Sequence, residues 1–186
     1  DPANAPYRNE TQGGGVLHYV GCHHLEIMRT LMGCEVKSVQ AMTGRPVAVI
    51  EEPLEDVAIL AMEFENGAYG SLHTAYTKPK GLGLDGFEGA LVYRGLEGWA
   101  NWTPVAGSTP GWTTMKAYSA VPEWSGAPER TYRYDLLPFV GYGNLELYHR
   151  WLESFIHAIR TDREPYSTVE DGLKILQCID AAYESA

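Results

Sequence analysis

Apolar residues recur at helical spacing in three stretches of the chain and at strand spacing between them. From Val20 to Met32 they fall at Val20, Leu25, Met28, Leu31 and Met32, and Gly33 follows as a residue able to take the left-handed conformation that ends a helix. Leu145 to Arg160 carries a broader stripe of Tyr148, Trp151, Leu152, Phe155, Ile156 and Ile159, closed by Thr161-Asp162-Arg163-Glu164-Pro165. A third helix is expected over Val169 to Ser185, with Val169, Leu173, Leu176, Ile179 and Tyr183 on one face. Thr168 and Asp171 at its start have capping-box spacing, with Asp in place of the usual Glu or Gln.

The middle of the chain reads as β structure. Val36 to Ile50 alternates loosely and is broken by Gly44 and Pro46, which predicts a strand, a turn and a further extended piece. Val57 to Phe64 and Ala68 to Thr77 are β-rich runs joined by Asn66-Gly67, a dipeptide suited to a type I′ hairpin turn. Residues 78–90 are glycine-rich and predict a loop into a strand at 91–94. The aromatic, Pro- and Gly-rich stretch from Trp99 to Tyr134 predicts irregular hairpins, and residues 1–12 an extended lead-in. One helix, then strands, then two helices is the segregated order of an α+β fold. The expectation is a mainly antiparallel, open-faced sheet with helices on one face, a two-layer sandwich built as a single domain over residues 1–186. The face without helices must be wet or covered by a partner, and a homodimer through it is expected.

Charge narrows the partners. The 186 residues carry a net charge of −10, which repels phosphate backbones and anionic lipid, so neither nucleic acid nor a membrane surface is expected. No apolar run reaches the roughly 18 residues a membrane helix needs. The polar start DPANAPYRNETQ does not read as a signal peptide, and its lack of a methionine points to a piece of a longer chain. Three widely spaced cysteines in apolar surroundings, Cys22, Cys34 and Cys178, read as reduced thiols of a cytoplasmic protein. Gly81-x-Gly83-x-x-Gly86 matches the dinucleotide fingerprint in letters but follows Lys78-Pro79-Lys80 and precedes a β-like run. It lacks the strand-to-helix context that seats a pyrophosphate and is expected to be a loop.

The candidate chemistry gathers between Gly13 and Gly33. Three glycines lead into a helix bearing His18, Tyr19, Cys22, His23 and His24. His18 and Cys22 have the i, i+4 spacing of metal ligands, but His23 and His24 diverge by about 100° on a helix and no further cluster completes a ligand set, so no metal is expected. Arg8 and Lys78 could contact an anionic substrate, with solvated surface charge the default reading of both. His73, alternating with Leu72 and Thr74, reads as a solvent-face or interface residue. The aromatics Trp99, Trp102, Trp112, Tyr118 and Trp124 fit packing better than a ligand platform.

Three stretches together resemble one family. GGGVLHYVGCHHLEIMRTLMG is similar to a glycine-rich entry followed by Asp-x-x-x-His on a helix. EDVAILAMEFENGAYGSLHTAY resembles a strand pair with an acidic start, and FIHAIRTDREPYSTVEDGLKILQCIDAAYESA a closing helix–turn–helix. The family is the Gfo/Idh/MocA oxidoreductases, and the resemblance is to their C-terminal domain. It implies a two-domain enzyme whose N-terminal Rossmann domain, absent here, binds NAD or NADP. This chain would be the half that binds a small polyhydroxylated or cyclic substrate and forms oligomers. The resemblance places His23 at the family's acid/base histidine, Tyr19 at its aspartate and Glu26 at a further acid. Gly15 and its neighbours would let backbone approach a ligand. A histidine in the first turns of a helix has its protonated form disfavoured by the helix dipole, which suits a base near neutrality. Tyr19 departs from the family pattern, because a tyrosine can hydrogen-bond but cannot supply the charge that orients an imidazole. The alternative is therefore a non-catalytic ligand-binding or dimerisation module derived from that family.

Overall fold

A computed structural model describes residues 14–46, 54–76, 91–104, 112–135 and 145–186. They fall into two compact units, one drawn from Asp1–Thr77 and Tyr166–Ala186, the other from Lys78–Pro165.

In the first unit a π turn, Leu17–Gly21, runs into helix α1, Cys22–Met32, which ends at Gly33 with φ of 65°. Strands β1 (Val36–Gly44), β2 (Val57–Phe64) and β3 (Tyr69–Ala75) follow, and helix α3 (Val169–Ser185) closes the chain. The strands form an antiparallel sheet in the order β1-β2-β3. Alternation along β2 sends Ala58, Leu60, Met62 and Phe64 into the core, where they meet Leu17, Leu25, Ile175, Cys178, Ile179 and Ala182. Both helices lie on this one face, as expected for the α+β sandwich. They run antiparallel, because Arg29 near the end of α1 pairs with Asp171 at the start of α3, while His18 stacks on Tyr183 near its end. The other face of the sheet exposes Met42, Ile59, Tyr69 and His73.

The hairpin falls where Asn66-Gly67 predicted it, but its turn is of another type. The Gly67 amide donates to the Phe64 carbonyl at 2.9 Å and the Phe64 amide to Ala68 at 2.8 Å, leaving a three-residue loop. Gly67 has φ of 82°, and Asn66 is not among the residues with positive φ. This is a type I turn completed by a glycine bulge rather than a two-residue I′ turn. The Asn66 side chain explains the choice: its Oδ1 accepts from the Ala68 amide at 3.0 Å, and its Nδ2 donates to the Met32 carbonyl at 3.2 Å.

The second unit holds β4 (Leu91–Arg94), β5 (Gly98–Pro104), β6 (Trp112–Ser119), β7 (Glu129–Asp135) and helix α2 (Leu145–Thr161). The strands form a regular antiparallel meander in chain order, where irregular hairpins were expected. Gly95, Pro122, Gly126 and Pro128 lie in the connections, and the aromatic and Thr residues in the strands have the β preference to pair. Trp99 pairs with Tyr118 across β5 and β6, Trp102 lies on the opposite face beside Met115, and Arg130 stands 4.0 Å over the Trp124 ring. The described strands thus form two ladders, of three and four strands, where one sheet was expected. The loop at 78–90 and the extended piece at 47–50 lie outside the described residues. Among those described, no helix is long and apolar enough to cross a membrane.

The helical phase of α3 also differs from expectation. Ile175, Cys178, Ile179 and Ala182 are buried, while Val169, Leu173 and Leu176 are exposed. Both faces are apolar, and the one bearing the small Cys178 and Ala182 lets the helix come close to the sheet. The capping box is present, with Asp171 accepting from the Thr168 amide at 2.8 Å and Thr168 Oγ1 accepting from the Asp171 amide at 3.2 Å. The observed phase predicts that Ile179→Ala, fully buried, lowers stability by about 3 kcal/mol. Leu173→Ala, on the exposed face, should change it by less than about 1 kcal/mol. Urea unfolding of the two variants checks this, and equal losses would restore the phase read from the sequence.

Candidate functional site

The site is built on the entry to α1. Gly15 takes φ of 99°, a conformation that favours glycine, and a side chain there would meet the carboxylate of Glu55, with a Cβ only 2.5 Å from Oε2. Gly15 is buried, and its conformation shapes the turn. Its carbonyl accepts from the Tyr19 amide at 3.1 Å and from the Tyr76 hydroxyl at 3.4 Å. Glu55 then holds the next two residues. Its carbonyl accepts from the Val16 amide at 3.2 Å and its Oε1 from the Leu17 amide at 2.8 Å, satisfying donors that a helix start leaves without partners. The Tyr183 hydroxyl donates to the same Oε1 at 2.8 Å. Burial, and next the Glu55 carboxylate, push the Tyr183 hydroxyl well above its ordinary value, so it stays a donor.

Tyr19 and His23 are both exposed on this entry. His24 turns inward, and its Nδ1 donates to the Val20 carbonyl at 3.2 Å, since a carbonyl can only accept. Burial, with a smaller contribution from the charge of His23, holds His24 below its ordinary value and so neutral near pH 7. His18 is occupied by its stack on Tyr183, with ring centroids 5.3 Å apart. Cys22 is partly buried against the core, and burial raises its thiol. No group of three His, Cys, Asp or Glu among the described residues is placed to hold a metal ion.

Glu26 lies one turn on and is engaged by Arg29 at 3.1 Å. Arg29 is 7% exposed and is the centre of a network. Its Nε and Nη2 donate to the two carboxylate oxygens of Glu35 at 2.7 and 2.6 Å, the paired geometry a guanidinium suits, and Nη2 also reaches Asp171 at 3.3 Å. A small cavity of about 190 Å³ opens beside it, lined in part by Glu26, Thr30, Cys34 and Tyr166. Burial pushes the Cys178 thiol up to about 11 and leaves it unreactive at neutral pH.

Of the expected site residues, Tyr19, His23, Glu26 and Gly15 therefore fall on one helix and its entry, while Arg8 and the Gly81-x-Gly83-x-x-Gly86 stretch lie outside the described residues. Glu55, Tyr183 and Arg29 were not singled out from the sequence. Arg29 carried a signal, since it recurs with Cys22, Leu25 and Met32 on the inward stripe, where a lone cation needs partners.

An antiparallel sheet with helices on one face and a histidine-bearing helix entry makes this unit an α+β domain. The chain belongs to the oxidoreductase family described by the model of the Gfo/Idh/MocA C-terminal alpha/beta domain, which matches residues 3–186. Among solved structures it resembles the aldose-aldose oxidoreductase from Caulobacter crescentus complexed with glycerol. There the identity is 25% and the TM-score 0.71, over 100% of this chain and 49% of that one. It also resembles an oxidoreductase from Agrobacterium radiobacter in complex with NAD+, L-tartaric acid and magnesium, at 20% identity and TM-score 0.65, over 92% of this chain and 46% of that one. The WlbA dehydrogenase from Bordetella pertussis in complex with NADH and UDP-GlcNAcA matches at 22% identity and TM-score 0.61, over 93% and 43%. The chain thus spans about half the length of the structures it matches. A search of curated proteins returned no match.

The Arg29 network gives a pH dependence. The hydrogen bonds from Arg29 hold Glu35 below its ordinary 4.5, and the bonds from Thr168, helped by Arg29, hold Asp171 below 3.8. Groups depressed on folding stabilise the protein above their unfolded values, and that contribution is lost as pH falls through the folded ones. The urea midpoint should therefore fall between about pH 5 and pH 3, and less steeply in Arg29→Met. That variant should also lose about 2 kcal/mol at pH 7, below the cost for a fully buried pair because the acids are partly exposed. A wild-type midpoint constant over that range would contradict the network's role.

Proposed function

We infer that this chain is the substrate-binding half of an NAD(P)-dependent oxidoreductase in which His23 moves the proton. The observation that carries the reading is the exposure of His23 and Tyr19 on a helix entry whose backbone is fixed from below by Glu55. An imidazole so placed can accept the proton of a substrate hydroxyl and return it in the reverse direction. A nicotinamide, when bound, supplies the acceptor or donor of the hydride at the same carbon. Every strand pair in the described ladders is antiparallel. On this reading the nicotinamide would be held by a Rossmann domain of the complete polypeptide, as the family resemblance implies.

Tyr19 would wall the pocket and Glu26, one turn on, would border it, with Arg8 and the Gly15 turn contributing further contacts to a small hydroxylated substrate. The glycerol, tartaric acid and nucleotide sugar in the related structures all carry hydroxyl groups, which supports that class. Tyr19, where the resemblance puts an aspartate, favours the second reading, a binding module without catalysis. The exposed sheet face with Met42, Ile59 and Tyr69 would be covered by a second copy.

In the complete polypeptide, His23→Ala should lower kcat for nicotinamide reduction by at least about a hundredfold. Turnover unchanged by the substitution would remove His23 from the mechanism, and no turnover in the wild type with any polyol or sugar tried would favour the binding module. Light scattering at micromolar concentration should give a dimer that Ile59→Glu converts to monomer. A wild-type monomer would rule out the sheet-face dimer.

A further inference from the structure

The entry to α1 is wound wider than the helix it leads into. The Cys22 amide donates to the Leu17 carbonyl, five residues back, whereas α1 ends with the Gly33 amide on Arg29, four residues back. A π turn holds one more residue than an α turn and persists only where its surroundings favour it. Here the surroundings converge on one residue, Glu55, whose carboxylate takes the Leu17 amide and whose main chain takes the Val16 amide. Its carboxylate also fills the space beside Gly15. The Tyr183 hydroxyl fixes that carboxylate from α3. Gly21, at the far end of the turn, lies close to Leu17, whose side chain would have to shift to admit a Cβ there.

We propose that Glu55 is a positioning residue for the site: by holding residues 15–17 it keeps the turn π-wound and so sets the direction of Tyr19 relative to His23. Its consequence for turnover rests on the reading of His23 as the proton-transfer group, whereas its effect on the turn does not. Relaxation to α winding would take one residue out of the turn and swing Tyr19 by about 100° around the axis relative to His23.

The test uses two variants and two readouts. Glu55→Ala removes the acceptor, and Glu55→Gln keeps an oxygen for Leu17 and Tyr183. In Glu55→Ala the Leu17 and Cys22 amides should exchange at least about tenfold faster by NMR, with the core amide of Leu60 unchanged and Glu55→Gln close to wild type. In the complete enzyme kcat should fall about tenfold with KM altered less than about threefold, and Glu55→Gln should recover most of it. Wild-type exchange at Leu17 and Cys22 would overturn the proposal. So would acceleration that extends equally to Leu60, or an opened turn with undiminished kcat. If Glu55→Ala does not fold, Tyr183→Phe takes its place, and unchanged exchange at Leu17 overturns the proposal there. Failure of the catalytic reading is seen separately, as unchanged turnover in His23→Ala with the exchange effect of Glu55→Ala still present.

Discussion

Helix α1 is held at both ends by charge, and the placement of the site depends on that. Glu55 stands at its N-terminal entry, where the backbone dipole favours an anion, and Arg29 lies toward its C-terminal end, where it favours a cation. Helix α3 supplies a partner to each, Tyr183 to Glu55 and Asp171 to Arg29. The apolar core makes the two helices lie on the sheet. The polar pairs fix where along it they lie, because hydrogen bonds have a direction that hydrophobic contact lacks.

This division of labour explains how an exposed group can be precise. His23 and Tyr19 are exposed, and the backbone that carries them sets where they stand. The backbone beneath them is tied to β2 through Glu55 and to α3 through Tyr183, both parts of the buried unit. The glycines at the entry serve that tie. Gly15 gives up its side chain so that a carboxylate can stand against the chain.

The elements with a single strong period were legible in the sequence. Alternation and Asn66-Gly67 located β2, β3 and their turn, the Thr168–Asp171 spacing located the start of α3, and Gly33 the end of α1. What was missed turned on tertiary contacts. The α3 phase was misread because both its faces are apolar and only the fit to the sheet chooses between them. The hairpin turn was misassigned because Asn66 bonds to Ala68 and to Met32, the latter from a helix 34 residues away. The residues of the entry were visible as a cluster of histidines, and resemblance picked out His23. Glu55 was noted only as part of an acidic strand start, and its role was hidden because it lies 38 residues from the amide it holds. The π winding has no sequence period of its own, so the relation of Tyr19 to His23 was read as i, i+4 on a regular helix.

The proposed role of His23 requires it to face the reacting carbon of a hydroxylated substrate. A crystal structure of the complete polypeptide with a nicotinamide cofactor and a bound polyol or sugar tests it most directly. An imidazole nitrogen of His23 is expected within about 3 Å of the hydroxyl on the carbon that faces the nicotinamide, with the Leu17–Cys22 π bond intact. An imidazole buried in a domain contact, or one turned away from a substrate held by other residues, would contradict it.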